Sequence, residues 1–237
     1  MAAREATGSL VESAAGIQAD VYFHVVAAGQ SESDGNIPES KMQDQFRVLK
    51  ETYTQYGINF TLKGITRTIN RDWATSARNQ FHMKSALRKG GYDTLNVYFM
   101  KDLGGSAGLC YHPDENGKAP GSGIFIFDGC LVLSSTVPGG THKDFNLGKV
   151  TVHEVGHWMG LSHTFVGGSC SGPGDMVDDT PPQYFPSTGC PIGRDSCPGD
   201  GPDPIHNYMD ATNDYCKTEF TPGQRARMHS MFNTYRK

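Results

Sequence analysis

His153-Glu154-Val155-Gly156-His157-Trp158-Met159-Gly160-Leu161-Ser162-His163 sets two histidines four residues apart, a glutamate beside the first, and a third histidine ten residues on. Residues four apart on a helix share one face, so His153 and His157 can hold one ion. His163 lies too far along a straight helix, at about 1.5 Å per residue, to reach the same ion. Gly160 removes the obstacle, because glycine accepts the positive φ that ends a helix and turns the chain back. Three imidazoles leave a fourth tetrahedral position open, which is the catalytic rather than the structural form of a zinc site. Glu154 then stands beside the metal without ligating it, placed to act on a water molecule. At this composition a shuffled chain would produce the eleven-residue pattern about once in 10⁴ attempts, so histidines merely displayed on a surface helix are a poor explanation.

Outward from this segment, a helix is expected from about Leu147 to Met159, with Trp158 and Met159 facing the core. Upstream, Gln18 to Ala27 reads as a strand, and Met42, Phe46, Leu49, Tyr53 and Tyr56 fall at helical spacing before a stop at Gly57. Ile58 to Ile69, Thr94 to Met100, Gly108 to His112 and Gly123 to Leu133 are further strand candidates. Residues 1–16 read as a flexible leader. Downstream, Ser162 to Tyr215 is rich in Gly, Pro, Asp and Cys and shows no periodicity. So long an irregular run needs disulfides or ions to hold it. Thr221-Pro222-Gly223-Gln224 is a capping box that opens a terminal helix lined by Met228, Phe232 and Tyr235. The expected fold is α+β, a single domain over residues 17–237. It has a mixed-sheet upper lobe to about 163 and an irregular, disulfide-stapled lower lobe from about 164 ending in a helix.

The six cysteines Cys110, Cys130, Cys170, Cys190, Cys197 and Cys216 form an even set with no C-x-x-C pair. Three disulfides, and hence an oxidising compartment, account for them better than six free thiols. Met1 to Leu10 carries Arg4 and Glu5 where an export signal needs an apolar run. Either targeting and pro-segments have been removed or the chain is not exported, and the cysteines favour the first. The net charge of −4, from 21 basic and 25 acidic residues without a Lys/Arg block, argues against nucleic acid or an anionic membrane as partner. No apolar run reaches the roughly 18 residues of a membrane span. Asp175, Asp178, Asp179 and Thr180 gather oxygen ligands in a Gly/Pro loop, a composition that suits calcium.

The eleven-residue motif resembles the signature of the metzincins, and Asn207-Tyr208-Met209-Asp210 resembles their methionine turn, which runs beneath the metal. The wider strings GLSHTF, Asp175 to Pro181, DPIHNYMD and FTPGQ resemble the secreted fungal and bacterial branch of the pappalysin family. The likeness covers roughly residues 18 to 237. It implies a secreted zinc endopeptidase acting on proteins or peptides, with Glu154 as general base and Met209 under the zinc. Substrate would lie antiparallel to an edge strand, here Gly108 to His112. It also implies bridges Cys170–Cys197 and Cys190–Cys216, leaving Cys110–Cys130, and a specificity-pocket wall that includes Asp214 and Tyr215. Cysteine arithmetic alone leaves three connectivities open among four cysteines. One position departs from the family: a tyrosine usually follows the methionine by two residues, and here Ala211 stands. Ala211 is the only support for a competing reading, a catalytically silent, zinc-stabilised extracellular binding protein.

Overall fold

The computed structural model describes residues 16–199 and 201–237, so the leader expected over 1–16 lies, but for Gly16, outside the described residues. Five strands form one sheet in the order β2-β1-β3-β5-β4. They are β1 (Ile17–Ala27), β2 (Ile58–Ile69), β3 (Leu95–Met100), β4 (Gly108–Cys110) and β5 (Cys130–Leu133). β1 pairs in parallel with β2 and β3, and β3 with β5, while β4 runs antiparallel along β5. β3 is buried at every position, as a parallel strand covered on both faces must be, and Asn96 is its one strongly polar residue. The short β4 closes one edge of the sheet.

The helices are α1 (Glu39–Thr54), α2 (Arg71–Ala74), α3 (Gln80–Leu87), α4 (Gly123–Phe127), α5 (Lys149–Trp158) and α6 (Pro222–Met231). α1 lays Met42, Leu49 and Tyr53 into the core and ends before Gly57, whose φ of 74° turns the chain into β2. α5 packs against α1 and the β4–β5 end of the sheet, and Tyr53 donates to the Val152 carbonyl at 2.9 Å. One cluster of buried side chains runs from Ile17 in β1 through Val155 and Trp158 in α5 to Met209 and Phe232.

Two expectations need correction. Gly123 to Leu133 is not one strand: residues 123–127 are helical and only Cys130–Leu133 pairs in the sheet. The alternation Ile-Phe-Ile-Phe reads as a strand, but Ser122 overrides it by accepting from the Phe125 amide and so starting a helix. Gly129, at φ 96°, then redirects the chain beside Asn96, where any Cβ would lie 2.6 Å from the Asn96 carbonyl oxygen. The strand from Gly108 stops at Cys110 rather than His112, and Pro113 follows closely, a residue that cannot donate to a ladder. The short helices α2 and α3 lack the length for a periodic signal; α2 starts where Asn70 accepts from the Trp73 amide.

Candidate metal centre and its surroundings

Residues on α5 and the turn after it build the site. Leu161 donates to Gly156 at 2.9 Å and Gly160 to His157 at 2.9 Å, the two bonds of a Schellman motif. Gly160 holds φ at 95°, and a Cβ there would sit 2.6 Å from Met231. This tight stop brings His163 back across the helix face. His163 Nε2 then lies 3.1 Å from His153 Nε2 and 3.0 Å from His157 Nε2.

The donor set fits a zinc ion. His153 Nδ1 donates to the Tyr208 carbonyl at 2.7 Å and His157 Nδ1 to the Leu161 carbonyl at 2.8 Å. With those nitrogens protonated, both Nε2 atoms present lone pairs, and they point at one another and at His163. His163 Nε2 stands within 3.1 Å of both, so it either donates a proton to one of them or, with that proton on its own Nδ1, completes three lone pairs around one cation; carbonyl-anchored imidazoles are how metal-binding histidines are oriented. Burial lowers the pKa of all three rings, that of His163 to about 4, which keeps them in the neutral, ligating form.

Glu154 is buried, and its Oε2 has no hydrogen-bond partner among the described residues. Burial raises its carboxyl to about 8, with the Lys217 ammonium opposing the shift. β4 passes directly over it: a Cβ on Gly108 would meet Glu154 Oε1 at 2.4 Å. Cys110 and Cys130, opposite one another across β4 and β5, are disulfide-bonded at a Cα separation of 4.2 Å. That bridge fixes the edge strand above the glutamate. A cavity of about 300 Å³ is lined by Gly108, Leu109, His112, Glu154, His157 and His163.

Met209 is fully buried below α5, and its sulfur would lie 2.4 Å from a Cβ at Gly156. Its turn is held by a reciprocal amide pair: Asn207 donates to Gln224 at 2.8 Å and Gln224 to Asn207 at 3.0 Å. Gln224 belongs to the capping box of α6, so the terminal helix anchors the turn that carries the Tyr208 carbonyl. Neither amide gives a motif of its own, although the capping box does mark Gln224.

Cys170 is bonded to Cys197 and Cys190 to Cys216, so the two bridges interleave. His206 lies beside Cys190 and Cys216, but both sulfurs are spent in the disulfide and that trio holds no metal. The acidic loop does not converge on a cation. Asp175 accepts from Thr180 Oγ1 and the Val177 amide, Asp179 accepts from Thr221 Oγ1 and the Gly223 amide at the start of α6, and Asp178 is exposed. The calcium expected there finds no support in this arrangement. Asp214 is buried beneath the N-terminus of α5, where it accepts from the Leu147 and Lys149 amides, while Tyr215 is exposed. Both amides and the helix dipole there favour a carboxylate. Ala211 follows the turn as a half-buried residue with no side-chain polar group.

A family model described as pregnancy-associated plasma protein-A, a peptidase family, matches residues 83–233. The chain is 56% identical over 236 residues to extracellular metalloprotease 1 of Coccidioides posadasii, covering all of this chain and 84% of that protein. It is 51% identical over 240 residues to an extracellular metalloprotease of Colletotrichum graminicola, again over all of this chain and 84% of the relative. Among solved structures, mature mirolysin of Tannerella forsythia in complex with a cleaved peptide superposes with a TM-score of 0.78 at 28% identity, over 94% of this chain and 93% of that one. The helix stop, the three converging imidazoles and the methionine turn are thus set in a metzincin fold, and the chain belongs to the pappalysin family of metalloendopeptidases.

Proposed function

We propose that this chain is a secreted, zinc-dependent endopeptidase that hydrolyses internal peptide bonds of protein substrates. His153, His157 and His163 hold the zinc, and Glu154 is the general base and then the general acid. The convergence of three Nε2 atoms beside an unpartnered, buried carboxyl carries this reading. Zinc, when bound there, supplies the Lewis acidity that polarises a peptide carbonyl and acidifies water.

The chain's own groups do the rest. Glu154 Oε2 takes a proton from the attacking water and delivers it to the departing amine nitrogen, so one carboxyl serves both halves of the reaction. The outer edge of β4, paired in the sheet only with β5, offers unpaired backbone groups to an extended peptide laid antiparallel to it. In this reading residues 17–237 form one catalytic domain, and the cleft lies between an upper lobe ending near 163 and a lower lobe beginning near 164. Secretion is supported by relatives named extracellular and by three disulfides.

The test is cleavage of unfolded casein by the purified protein with and without 1,10-phenanthroline, beside Glu154→Gln. Cleavage that stops under chelation and in the variant supports the reading. A zinc-loaded, folded wild type that cuts nothing supports the silent binding protein instead, and Ala211→Tyr is then the first change to make.

A further inference from the structure

A second cavity, of about 490 Å³, opens beside the cleft and is lined by Tyr92, Tyr111, His112, Ile124 and Phe127, with Asp114 and Asp128 at its margin. His112 lines both cavities, and its ring lies 5.3 Å from that of His157. Three aromatic rings around this cavity are held rigidly. Phe127 packs against Tyr111 at 5.7 Å and against Phe81 at 5.5 Å, and Arg236 sits over Tyr92 at 4.7 Å.

α4 forms one wall, and its composition is unexpected for its place. All five residues of Gly-Ile-Phe-Ile-Phe are non-polar, yet none is fully buried, and Ile124 is 42% exposed. Leu109, on the β4 edge next to the cleft, is likewise 42% exposed. Exposed apolar side chains lining a cavity beside the cleft suit the docking of an apolar group. The two carboxylates do not make the cavity a cation site. Asp128 is already paired with Arg88 at 3.2 Å and Arg236 at 3.1 Å, and Asp114 accepts from the Asn116 amide and side chain.

The strand direction says which part of a substrate arrives there. Gly108 lies over Glu154, where the scissile bond must sit, and the chain then runs toward His112. A peptide antiparallel to it runs the opposite way, so its residues beyond His112 lie on the amino side of the scissile bond. At about 3.4 Å per residue, that cavity meets the side chain roughly two to four residues before the bond.

We infer that the Tyr111–Ile124–Phe127 cavity is a specificity subsite for a large apolar or aromatic side chain on the amino-terminal side of the cleaved bond. This rests on the peptidase reading above. Burying such a side chain contributes about 1.5–3 kcal/mol, which corresponds to a preference of roughly ten- to a hundredfold over glycine.

The experiment has a cleavage arm and a binding arm. In the first, wild type and Ile124→Glu digest a mixed peptide library, and cleavage sites are read by mass spectrometry. Wild type should enrich Phe, Tyr, Leu, Ile or Met two to four residues before the cut, and Ile124→Glu should lose that enrichment while its melting temperature stays near wild type. In the second, Glu154→Gln and Glu154→Gln/Ile124→Glu bind fluorescent casein-derived decapeptides differing only at that position. The phenylalanine peptide should bind Glu154→Gln about tenfold tighter than the glycine peptide, and the advantage should vanish in the double variant. Equal affinities, no binding of any peptide, a preference for arginine, or a phenylalanine preference that survives Ile124→Glu each overturn the subsite. So does a change in oligomeric state with selectivity intact, which would give this face to a second copy of the chain. Cleavage without enrichment sinks the subsite and leaves the peptidase reading standing. Phenylalanine-selective binding by a protein that cuts nothing sinks the peptidase reading and leaves the subsite.

Discussion

At the scale of single residues, the site depends as much on what is missing as on what is present. Gly108 and Gly156 carry no side chain where Glu154 and Met209 press against the backbone, at 2.4 Å from a notional Cβ in each case. Gly108→Ala should therefore displace the Glu154 carboxyl and lower kcat at least tenfold, with only a small drop in melting temperature, since Gly108 lies on an edge strand. Steady-state kinetics beside calorimetry would check this. Equal losses in both would show a folding defect instead. His163→Ala should lose zinc outright, read as metal content per chain after gel filtration, because two imidazoles cannot replace three. The histidine motif and Glu154 were legible in the sequence because ligand spacing is a local property of one helix and one turn. The need for glycine at 108 was not, because it arises only when β4 crosses α5.

At the scale of elements, His24 illustrates how a sheet can carry a hidden titration. It sits in β1, bonded to Thr66 of β2 at 2.8 Å and to Asn96, just inside β3, at 2.9 Å. It is 1% exposed and stacks on Tyr98 at 4.6 Å. Burial lowers its pKa to about 4, Asn96 opposes that shift, and Lys89 and Arg88 add to it. A folded-state pKa below the unfolded 6.5 means the unfolded chain binds the proton first. The neutral-ring contribution is thus complete above about 6.5 and is lost as pH falls toward 4, by about 3 kcal/mol. Urea unfolding at pH 7 and pH 4 should show a smaller acid loss for His24→Gln than for wild type, and an unchanged loss would contradict the shift. β1, β2 and β3 were legible from β-branched and aromatic runs. α4 was not, since its Ile-Phe alternation points to a strand and only the Ser122 cap decides otherwise.

At the scale of the whole molecule, two kinds of stabilisation divide the chain. The sheet, α1 and α5 share one continuous apolar core. Between Leu161 and Thr221 there is no named helix or strand among the described residues, and the interleaved bridges Cys170–Cys197 and Cys190–Cys216 hold that segment instead. The two bridges close loops of 27 and 26 residues, each worth about 3.5 kcal/mol in chain entropy. Mild reduction should therefore raise hydrogen exchange across residues 164–220 before the parallel strands respond. Simultaneous loss of protection in β1 and β3 would show that the bridges hold the whole molecule. That Ser162 to Tyr215 is held by disulfides rather than by periodic packing was legible from its Gly, Pro, Asp and Cys composition. The cluster around Asp128 was not: it binds Arg88, Arg236 and the Trp158 indole, residues far apart in the chain that no local pattern links.

In the proposed mechanism three histidines hold zinc while Glu154, and not the metal alone, moves the proton. The direct measurement is casein turnover by wild type and Glu154→Gln, each first shown by mass spectrometry of metals to carry one zinc per chain. On that mechanism zinc content is equal and turnover falls about 10²–10⁴-fold in the variant. Near-normal turnover by a zinc-loaded Glu154→Gln would contradict it.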